Sequence, residues 1–410
     1  MKNFLTILII NLFIINAYAY ADKEAISPEK LKNVSGIILG YGSTTLDKKD
    51  GIPKKIWNEY HIKPHFKTDH TLLGLDLVFH FDENTNMDHD DWNDLGDIID
   101  KIDYLYYNTE KDPFYLRIGQ LSNVTFGSGF VVNHYSNMIT YPLKEKNVGL
   151  DMGINLPWDD KLEFFTNDLD AARIFGFRAC FIPLDYVEVG LNYVLDKDPL
   201  RNNNSDESLH FFSLDVSSPI VKRKRSAFYI YENLAKILDH GLGFSSGIRW
   251  ELPFGKFNGE YRFYDSNFTP SYFNEYYDLD SSMKYQDLRA LDNGEKFGGF
   301  LFSGKIHTME NHLKLESSIE KFMNSGRSIH FYAKAGLSQL PFDNLEFNLS
   351  YDDKDAHLAD FGFDKKNVTI ISDTKYNISK NACLKIDFKR IYNEIGIARK
   401  LSSFSTEIKF

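Results

Sequence analysis

The sequence predicts an all-β protein: a single closed antiparallel transmembrane β-barrel of about 20 strands, with a range of roughly 16 to 20. Three observations support this fold class. Apolar and polar residues alternate with a period of two in segment after segment, long connections alternate with short ones, and the chain opens with an export signal. Because every backbone amide in hydrocarbon needs an internal partner, a sheet can cross a membrane only as a closed barrel.

Residues 1–19 are predicted to be a secretory signal peptide. Lys2 precedes an apolar stretch at residues 4–15, and Ala19 completes a small-x-small cleavage site. Cleavage after Ala21 fits equally well, and no cysteine follows that would carry a lipid anchor. We expect a short periplasmic segment at residues 22–35, which leaves no room for a plug domain, and a barrel over residues 36–410.

The strand pattern is clearest in residues 171–195. The apolar residues of the second strand in this stretch fall on one face, whereas Glu188 falls on the other. Arg178 lies on the matching face of the preceding strand, and the tight turn is predicted at Pro183-Leu184. We therefore expect this turn at the periplasmic rim, the apolar face against lipid, and Arg178 and Glu188 facing the lumen.

The same pattern predicts strands along the rest of the chain, at residues 36–42, 60–68, 71–81, 101–107, 114–120, 148–156, 162–166, 208–217, 226–232, 242–252, 256–264, 297–307, 313–320, 328–337, 345–351, 368–376, 382–389 and 404–410. Long connections, such as residues 82–99, 121–146 and 265–296, alternate with short ones. This parity is typical of barrels with long extracellular loops and short periplasmic turns. A propeller would instead show a repeat of about 40–50 residues, which the chain lacks.

Composition excludes some function classes. A net charge of -11 argues against a general nucleic-acid binder, because phosphate contacts need clustered lysine and arginine. The basic run at residues 222–225 is expected to be a solvated turn beside lipid headgroups. Cys180 and Cys383 lie in separate predicted strands, so we expect both to be free thiols.

The terminal strand carries a resemblance to a known class. Phe404, Ile408 and Phe410 alternate, and the chain ends on Phe410. In this the chain resembles bacterial outer-membrane β-barrel proteins of the porin-like type. The resemblance implies an outer-membrane location, contact with outer-membrane lipid or lipopolysaccharide, and insertion by the barrel-assembly machinery through this terminal signal.

Charged residues of both signs occur on the inferred inward faces. Opposing charges across a water-filled lumen create a transverse field that orders permeating solutes. The alternative is that they form cross-strand ion pairs that rigidify the wall. The candidates for lining and selectivity are Arg117, Arg178, Glu188, Arg249, Glu260, Arg262, Lys305 and Lys334.

The connections at residues 121–146 and 265–296 are long enough to fold into the lumen as constrictions. Equally, they could pack over the mouth or face outward. In the second, aromatic residues such as Tyr272 and Tyr277 could stack on sugars or amphiphiles. We expect the acidic connection to form a solvated acidic face, because it lacks EF-hand spacing. The alternative is a calcium site, since carboxylate oxygens of the kind Ca²⁺ prefers are offered by Asp88, Asp90, Asp94 and Asp97.

The predicted function is a porin-like channel for passive diffusion of small hydrophilic solutes, since barrels of this width leave an aqueous channel. The alternative is a surface receptor, adhesin or structural barrel whose long loops bind a partner, with no open pore. No motif of the form Gly-x-Ser-x-Gly or His-Glu-x-x-His occurs, so neither an enzyme nor a cofactor is expected. The sequence leaves a homo-oligomer open.

Overall fold

The computed structural model describes residues 35–46, 55–82, 95–108, 112–140, 146–184, 186–201, 207–290, 295–307, 312–323, 329–339, 344–356, 368–392 and 398–410. The first of these segments begins next to the predicted start of the barrel at residue 36. The predicted signal peptide lies outside the described residues.

Twenty strands form one sheet. Their bounds are β1 Gly36–Leu46, β2 Lys55–Lys67, β3 Thr71–Leu75 with Leu77–Phe81, β4 Ile102–Tyr107, β5 Phe114–Gly119, β6 Gly149–Asn155, β7 Lys161–Thr166, β8 Ile174–Leu184, β9 Val187–Asp196, β10 Leu209–Arg223, β11 Ser226–Ile237, β12 Leu242–Leu252, β13 Gly255–Asp265, β14 Lys296–His307, β15 Leu313–Met323, β16 Ile329–Ser338, β17 Leu345–Ala356, β18 Val368–Asn377, β19 Ala382–Tyr392 and β20 Ala398–Lys409. The two segments of β3 flank Asp76, and both pair with β2, so they act as one strand.

The sheet closes on itself. Each strand pairs antiparallel with its neighbour in sequence, and β20 pairs with β1 in a register that runs from Ile38 opposite Lys409 to Leu46 opposite Leu401. Closure removes both sheet edges, so no ladder of strand hydrogen bonds is left open at the ends of the sheet. The predicted closed antiparallel barrel of about 20 strands is therefore confirmed.

Alternation sorts the side chains between the two faces of the wall. In β12, Leu242, Ile248 and Trp250 point outward and are 43%, 49% and 49% exposed, whereas Ser245 points inward and is fully buried. Period two in the sequence places apolar side chains outside and polar side chains inside. The apolar side chains of β12 therefore lie on the outer face of the wall.

The two ends of the barrel differ in the length of their connections. The end that carries the start of β1 and the end of β20 has short turns, such as residues 224–225 and 253–254. The other end carries long connections, including residues 82–101, 120–148 and 266–295. The predicted alternation of long and short connections holds for most of the described strands, but residues 238–241 form a short connection at the end that carries the long ones.

The predicted turn at Pro183-Leu184 is wrong. Pro183 and Leu184 belong to β8 and not to the turn, because a register shift after Phe181 lets the strand continue until Leu184 lies opposite Val187. A bulge tolerates proline, which has no amide hydrogen to donate.

The long connections at residues 82–101 and 266–295 also contain helices, which the sequence pattern did not predict. They are α1, Leu95–Asp100, and α2, Tyr277–Ala290. The signal for α2 was present, since Asp278 and Asp280 occupy its first turn and Arg289 its last, as the helix dipole favours. No helix in the described part of the chain is long and apolar enough to cross a membrane.

Candidate functional site: a lumen filled by two loops

Two long connections fold into the barrel. We call residues 120–148 the first lumen loop, of which 141–145 lie outside the described residues, and residues 266–295 the second lumen loop, of which 291–294 do. They join through a short parallel ladder between Val132–Asn133 and Phe273–Asn274. The amide of Phe273 donates to the carbonyl of Val131 at 3.1 Å, and the amide of Ser271 donates to the carbonyl of Phe130 at 2.7 Å. The two loops therefore form one unit.

An aromatic core fixes this unit to the barrel wall. Tyr272 and Phe273 of the second loop are fully buried, and each ring centroid lies 4.9 Å from that of Phe211, which points inward from β10. Phe130 of the first loop stacks on Phe268 of the second at 5.4 Å. Burying large aromatic rings is among the strongest apolar contributions to packing.

The predicted stacking of Tyr272 and Tyr277 on solutes is wrong, because neither side chain is exposed. Their rings lie 5.2 Å apart inside the core that holds the loops. Sequence reasoning could not separate these cases, since an aromatic residue in a long polar connection fits either a binding surface or a buried core.

Polar contacts tie the loop unit to several parts of the wall. Ser128 Oγ donates to Asn233 Oδ1 of β11 at 2.8 Å, and the Nδ1 atom of His134 lies 3.2 Å from Glu316 Oε1 of β15. In the second loop, Glu275 lies 3.5 Å from Lys334 Nζ of β16. The loops thus span the interior between distant strands, which decides among the predicted placements in favour of the lumen.

A buried charge cluster stabilises the start of α2. Tyr277 donates to Asp196 at 2.6 Å, and Tyr135 donates to Asp278 at 3.1 Å. Arg201 lies 3.2 Å from Asp196 and 3.4 Å from Asp278, so one guanidinium serves both carboxylates. Buried charges are tolerated where each has a partner of opposite sign and further hydrogen bonds.

Lys284 of α2 lies in an unusual environment. Its ammonium donates to the carbonyl of Tyr272 at 2.7 Å and to Asn274 Oδ1 at 3.0 Å, and it lies 3.5 Å from Asp280. Lys354 of β17 binds the same Asp280 carboxylate. Burial lowers the pKa of Lys284 to about 8; Asp280 acts in the opposite direction, and the positive charge of Lys354 lowers it further.

Three predicted lumen residues are buried in ion pairs. Arg178 is 3% exposed; it lies 2.5 Å from Asp215 and 3.0 Å from Glu188. Arg262 is 4% exposed and lies 2.5 Å from Glu260 and 2.7 Å from Glu320. Arg178, Arg262 and Glu260 point inward as predicted, but they lie in closed contacts with neighbouring strands. This geometry matches the alternative prediction, in which the inward charges form ion pairs that rigidify the wall.

The other predicted lumen residues are more accessible. Arg117 lies 3.4 Å from Asp151, and Arg249 lies 3.2 Å from Glu251. Glu188 is 44% exposed, while Lys305 and Lys334 are 38% and 42% exposed. Lys305 and Lys334 share a pocket on the inner wall, whose lining consists of Lys305, Lys314, Leu315, Glu316, Lys334, Gly336 and Asn348.

A second charged group lies on the strands that close the barrel, and sequence reasoning missed most of it. Lys63 of β2 lies 2.9 Å from Glu407 of β20 and 3.4 Å from Asp76 of β3. His61 lies 2.8 Å from Asp76, and Lys385 lies 2.8 Å from Glu407. The signal was present in the period-two spacing of His61 and Lys63, which marks one face of a strand.

The remaining predicted sites are placed as follows. Asp88, Asp90 and Asp94 lie outside the described residues, and Asp97 lies in α1. No group of three or more metal-binding side chains occurs among the residues that are described.

Phe404, Ile408 and Phe410 are 52%, 49% and 71% exposed at the end of the strand that seals the barrel. Cys180 and Cys383 are buried, free thiols.

Comparison with known proteins gives matches only among solved structures. No protein-family model matches the chain, and no curated protein does. Pseudomonas aeruginosa OpdL is similar at 9% identity and a TM-score of 0.36, over 92% of this chain and 98% of that one. Acinetobacter baumannii OccAB2 is similar at 10% identity and a TM-score of 0.37, over 92% and 98%. Pseudomonas aeruginosa OccK3 is similar at 9% identity and a TM-score of 0.38, over 93% of this chain and 97% of that one. The barrel assignment rests on the strand pairings of this chain.

Proposed function

We propose that the protein is an outer-membrane channel through which small hydrophilic solutes diffuse passively, along a charged lumen narrowed by its two lumen loops. The observation that carries the proposal is the placement of those loops. They enter a closed barrel and are fixed to its inner wall through Ser128, His134 and Glu275. Loops that constrict a water-filled barrel set the size and charge of what can pass.

The outer face supports the membrane location. Phe177, Leu191 and Phe302 are outward residues on three strands and are 43%, 51% and 60% exposed. In water such a continuous apolar belt would be costly, whereas in a bilayer it faces lipid. Trp158 and Tyr186 lie in short turns and are 85% and 65% exposed. Aromatic residues at the membrane–water interface of membrane barrels occupy similar positions.

The path for solutes runs, in this proposal, along the wall that the aromatic core leaves uncovered. The core packs on inward residues such as Phe165, Phe211 and Tyr264 of β7, β10 and β13. By contrast, the half-exposed Lys305 and Lys334 keep contact with water on β14 and β16. These two lysines are the selectivity residues that the proposal retains from the predicted set.

The placement of the loops weakens the receptor or adhesin alternative. A barrel that serves only as an anchor would display its longest connections outside, whereas the described parts of residues 120–148 and 266–295 pack inside. Export by the signal peptide and insertion by the barrel-assembly machinery through Phe404, Ile408 and Phe410 belong to the same proposal, as does the absence of enzymatic activity.

Two measurements test the proposal. Cell fractionation should place the protein in the outer membrane, and the folded protein in a planar bilayer should give discrete single-channel openings. A variant that replaces residues 126–134 with a short Gly-Ser linker should show larger openings, because it removes part of the constriction. Recovery in the periplasmic soluble fraction would refute the location, and folded protein without openings would refute the channel.

A further inference from the structure

A carboxylate lies in the middle of the outward face of the barrel wall. Glu232 is the seventh residue of β11, Ser226–Ile237, and its side chain is exposed. Its neighbours on the same face of the strand, Ile230 and Leu234, are 46% and 43% exposed. Glu232 therefore interrupts an apolar face halfway between the two rims.

The residues on either side fix this orientation. Tyr231 is buried and donates to Glu260 inside the barrel at 3.0 Å. Asn233 is buried, donates to Ser245 at 2.8 Å and accepts the hydrogen bond of Ser128. Because two consecutive inward positions are held by these contacts, Glu232 cannot turn inward without breaking them.

A carboxylate on the outward face is energetically unfavourable if it contacts only lipid. Within the described part of the chain, the Glu232 carboxylate accepts no hydrogen bond and forms no ion pair. Ionisable residues at the depth of the hydrocarbon are expensive, and they mark functional or contact sites with a specific partner. The partner must supply a hydrogen-bond donor at a similar depth in the membrane.

The same face of the wall carries suitable donors. Ser246 of β12 lies directly opposite Glu232 in the strand register, and Tyr261 of β13 lies opposite Ser246. Both are exposed. A second copy in the same membrane has the same orientation, so a two-fold axis along the membrane normal brings a row of residues against itself at similar depth. In the row Glu232, Ser246 and Tyr261, the first residue is an acceptor and the other two are donors. The row of one copy can therefore form hydrogen bonds with the same row of a second copy.

We infer that the outward face of β11 to β13 is an interface between two copies of this chain, in which Glu232 accepts a hydrogen bond from Ser246 of the partner subunit. The axis then passes between β11 and β12, and the contact occurs twice. Apolar residues around the row, including Ile230 and Ile248, surround the two hydrogen bonds. This inference rests on the membrane location proposed above.

Cysteine cross-linking tests the interface. Ile248→Cys places a thiol beside the row on the outward face of β12 and leaves Glu232 and Ser246 intact, whereas Ser402→Cys places an exposed thiol on β20, on the far side of the barrel. Cys180 and Cys383 are buried and provide the background. In outer membranes treated with a short thiol-to-thiol cross-linker, Ile248→Cys should give a dimer on the order of tenfold more efficiently than Ser402→Cys.

Removing the carboxylate should weaken the contact. Glu232→Leu in the Ile248→Cys background, which keeps the Ser246 hydroxyl, should lower the dimer yield on the order of tenfold, the size expected for a few interfacial hydrogen bonds in a membrane. Glu232→Gln, which keeps the shape and one acceptor, should lower it less and serves if the leucine variant does not fold. Heat-modifiable migration on gels and recovery in the outer membrane check folding and location.

The outcomes are distinguishable. Equal cross-linking at Ile248→Cys and Ser402→Cys, or a dimer yield that Glu232→Leu leaves unchanged, would overturn the interface while leaving the channel intact. A cross-linked product in cells whose mass differs from a dimer, absent from purified protein in vesicles, would assign Glu232 to another membrane protein. Recovery of the protein in the soluble fraction would instead overturn the proposed location.

Discussion

The Nδ1 atom of His134 lies 3.2 Å from Oε1 of Glu316, which joins the first lumen loop to β15 across the interior of the barrel. His134 has a left-handed backbone, with φ at 55°, so its side chain leaves the loop at a sharp bend. Glu316 also lies 4.0 Å from Lys305, one of the two exposed lysines of the pocket. The loop and the charged wall therefore meet at one carboxylate.

Replacing His134 with alanine should loosen the first lumen loop. The imidazole is 40% exposed, so the contact with Glu316 resembles a surface ion pair, and its loss should make transitions to wider conductance states about twofold to fivefold more frequent. Single-channel recording in planar bilayers measures this. His240→Ala, in a connection between β11 and β12, is the matched control, and an equal effect of both variants would contradict the assigned contact.

Locking the loop should have the opposite effect. Ser128 and Asn233 are hydrogen bonded at 2.8 Å, so cysteines at both positions should form a disulfide between the first lumen loop and β11. The oxidised double variant should lose its transitions to wider states and regain them on reduction. The single variant Ser128→Cys should respond to neither treatment. A lumen loop that moves elsewhere would leave the recordings of the double variant unchanged by oxidation.

The environment of Lys284 predicts a pH dependence of loop docking. Its pKa is about 8 when α2 is docked, against an ordinary value of 10.5. Between these values an undocked loop binds more protons than a docked one, so docking strengthens as the pH rises from about 8 to about 10.5, by at most about tenfold per pH unit. Below about pH 8 this contribution is constant.

Recordings over the alkaline range check this sign. The fraction of time spent in wider states should fall as the pH rises above about 8, and Lys284→Met should abolish the dependence because it removes the titrating group. Lys354→Met should shift the onset upward, since it removes the positive charge that competes for Asp280. A pH dependence that persists in Lys284→Met would show that another group controls docking.

Arg178 should be essential for stability. Arg178→Met leaves Asp215 and Glu188 without their cation in the wall, which should cost about 3–5 kcal/mol in the free energy of unfolding. Urea unfolding in lipid vesicles gives this quantity. The double variant with Asp215→Leu should recover much of the loss, because it removes the stranded carboxylate as well. A double variant no more stable than Arg178→Met would contradict this explanation.

The exposed lysines should control charge selectivity. Lys305→Gln together with Lys334→Gln should shift the ratio of cation to anion permeability toward cations. The effect should be larger at low salt, because the screening length is about 30 Å at 0.01 M and about 10 Å at 0.1 M. Reversal potentials under a salt gradient measure the ratio. Lys400→Gln, on the outward face of β20, should leave it unchanged, and an unaltered ratio in the double variant would remove these lysines from the pathway.

Much of the wall could be predicted from the sequence. The alternation in residues 187–195 and 242–252 fixes which face each residue occupies, because successive side chains of a strand point to opposite sides whatever the neighbours are. The inward direction of Arg178, Arg262 and Lys334 follows from the same rule. The alternation of long and short connections also predicted which end of each strand lies at which rim of the barrel.

The contents of the lumen could not be predicted in this way. Tyr272 and Tyr277 lie in a connection without periodicity, and only their packing against Phe211 and Phe273 shows that they form a core. Whether an inward charge faces water or a partner also depends on neighbours distant in sequence: Arg178 meets Asp215, 37 residues away, while His134 meets Glu316 across the barrel.

The sequence by itself therefore determined the closed barrel and the two faces of its wall, since period two is a local property of the backbone. Only the tertiary structure decided that the described parts of residues 120–148 and 266–295 fill the lumen and which inward charges they cover. It also decided that Glu232 lies on the outer face with no partner among the described residues. Loops and ion pairs are set by long-range contacts, and the energies of those contacts depend on burial that no local pattern encodes.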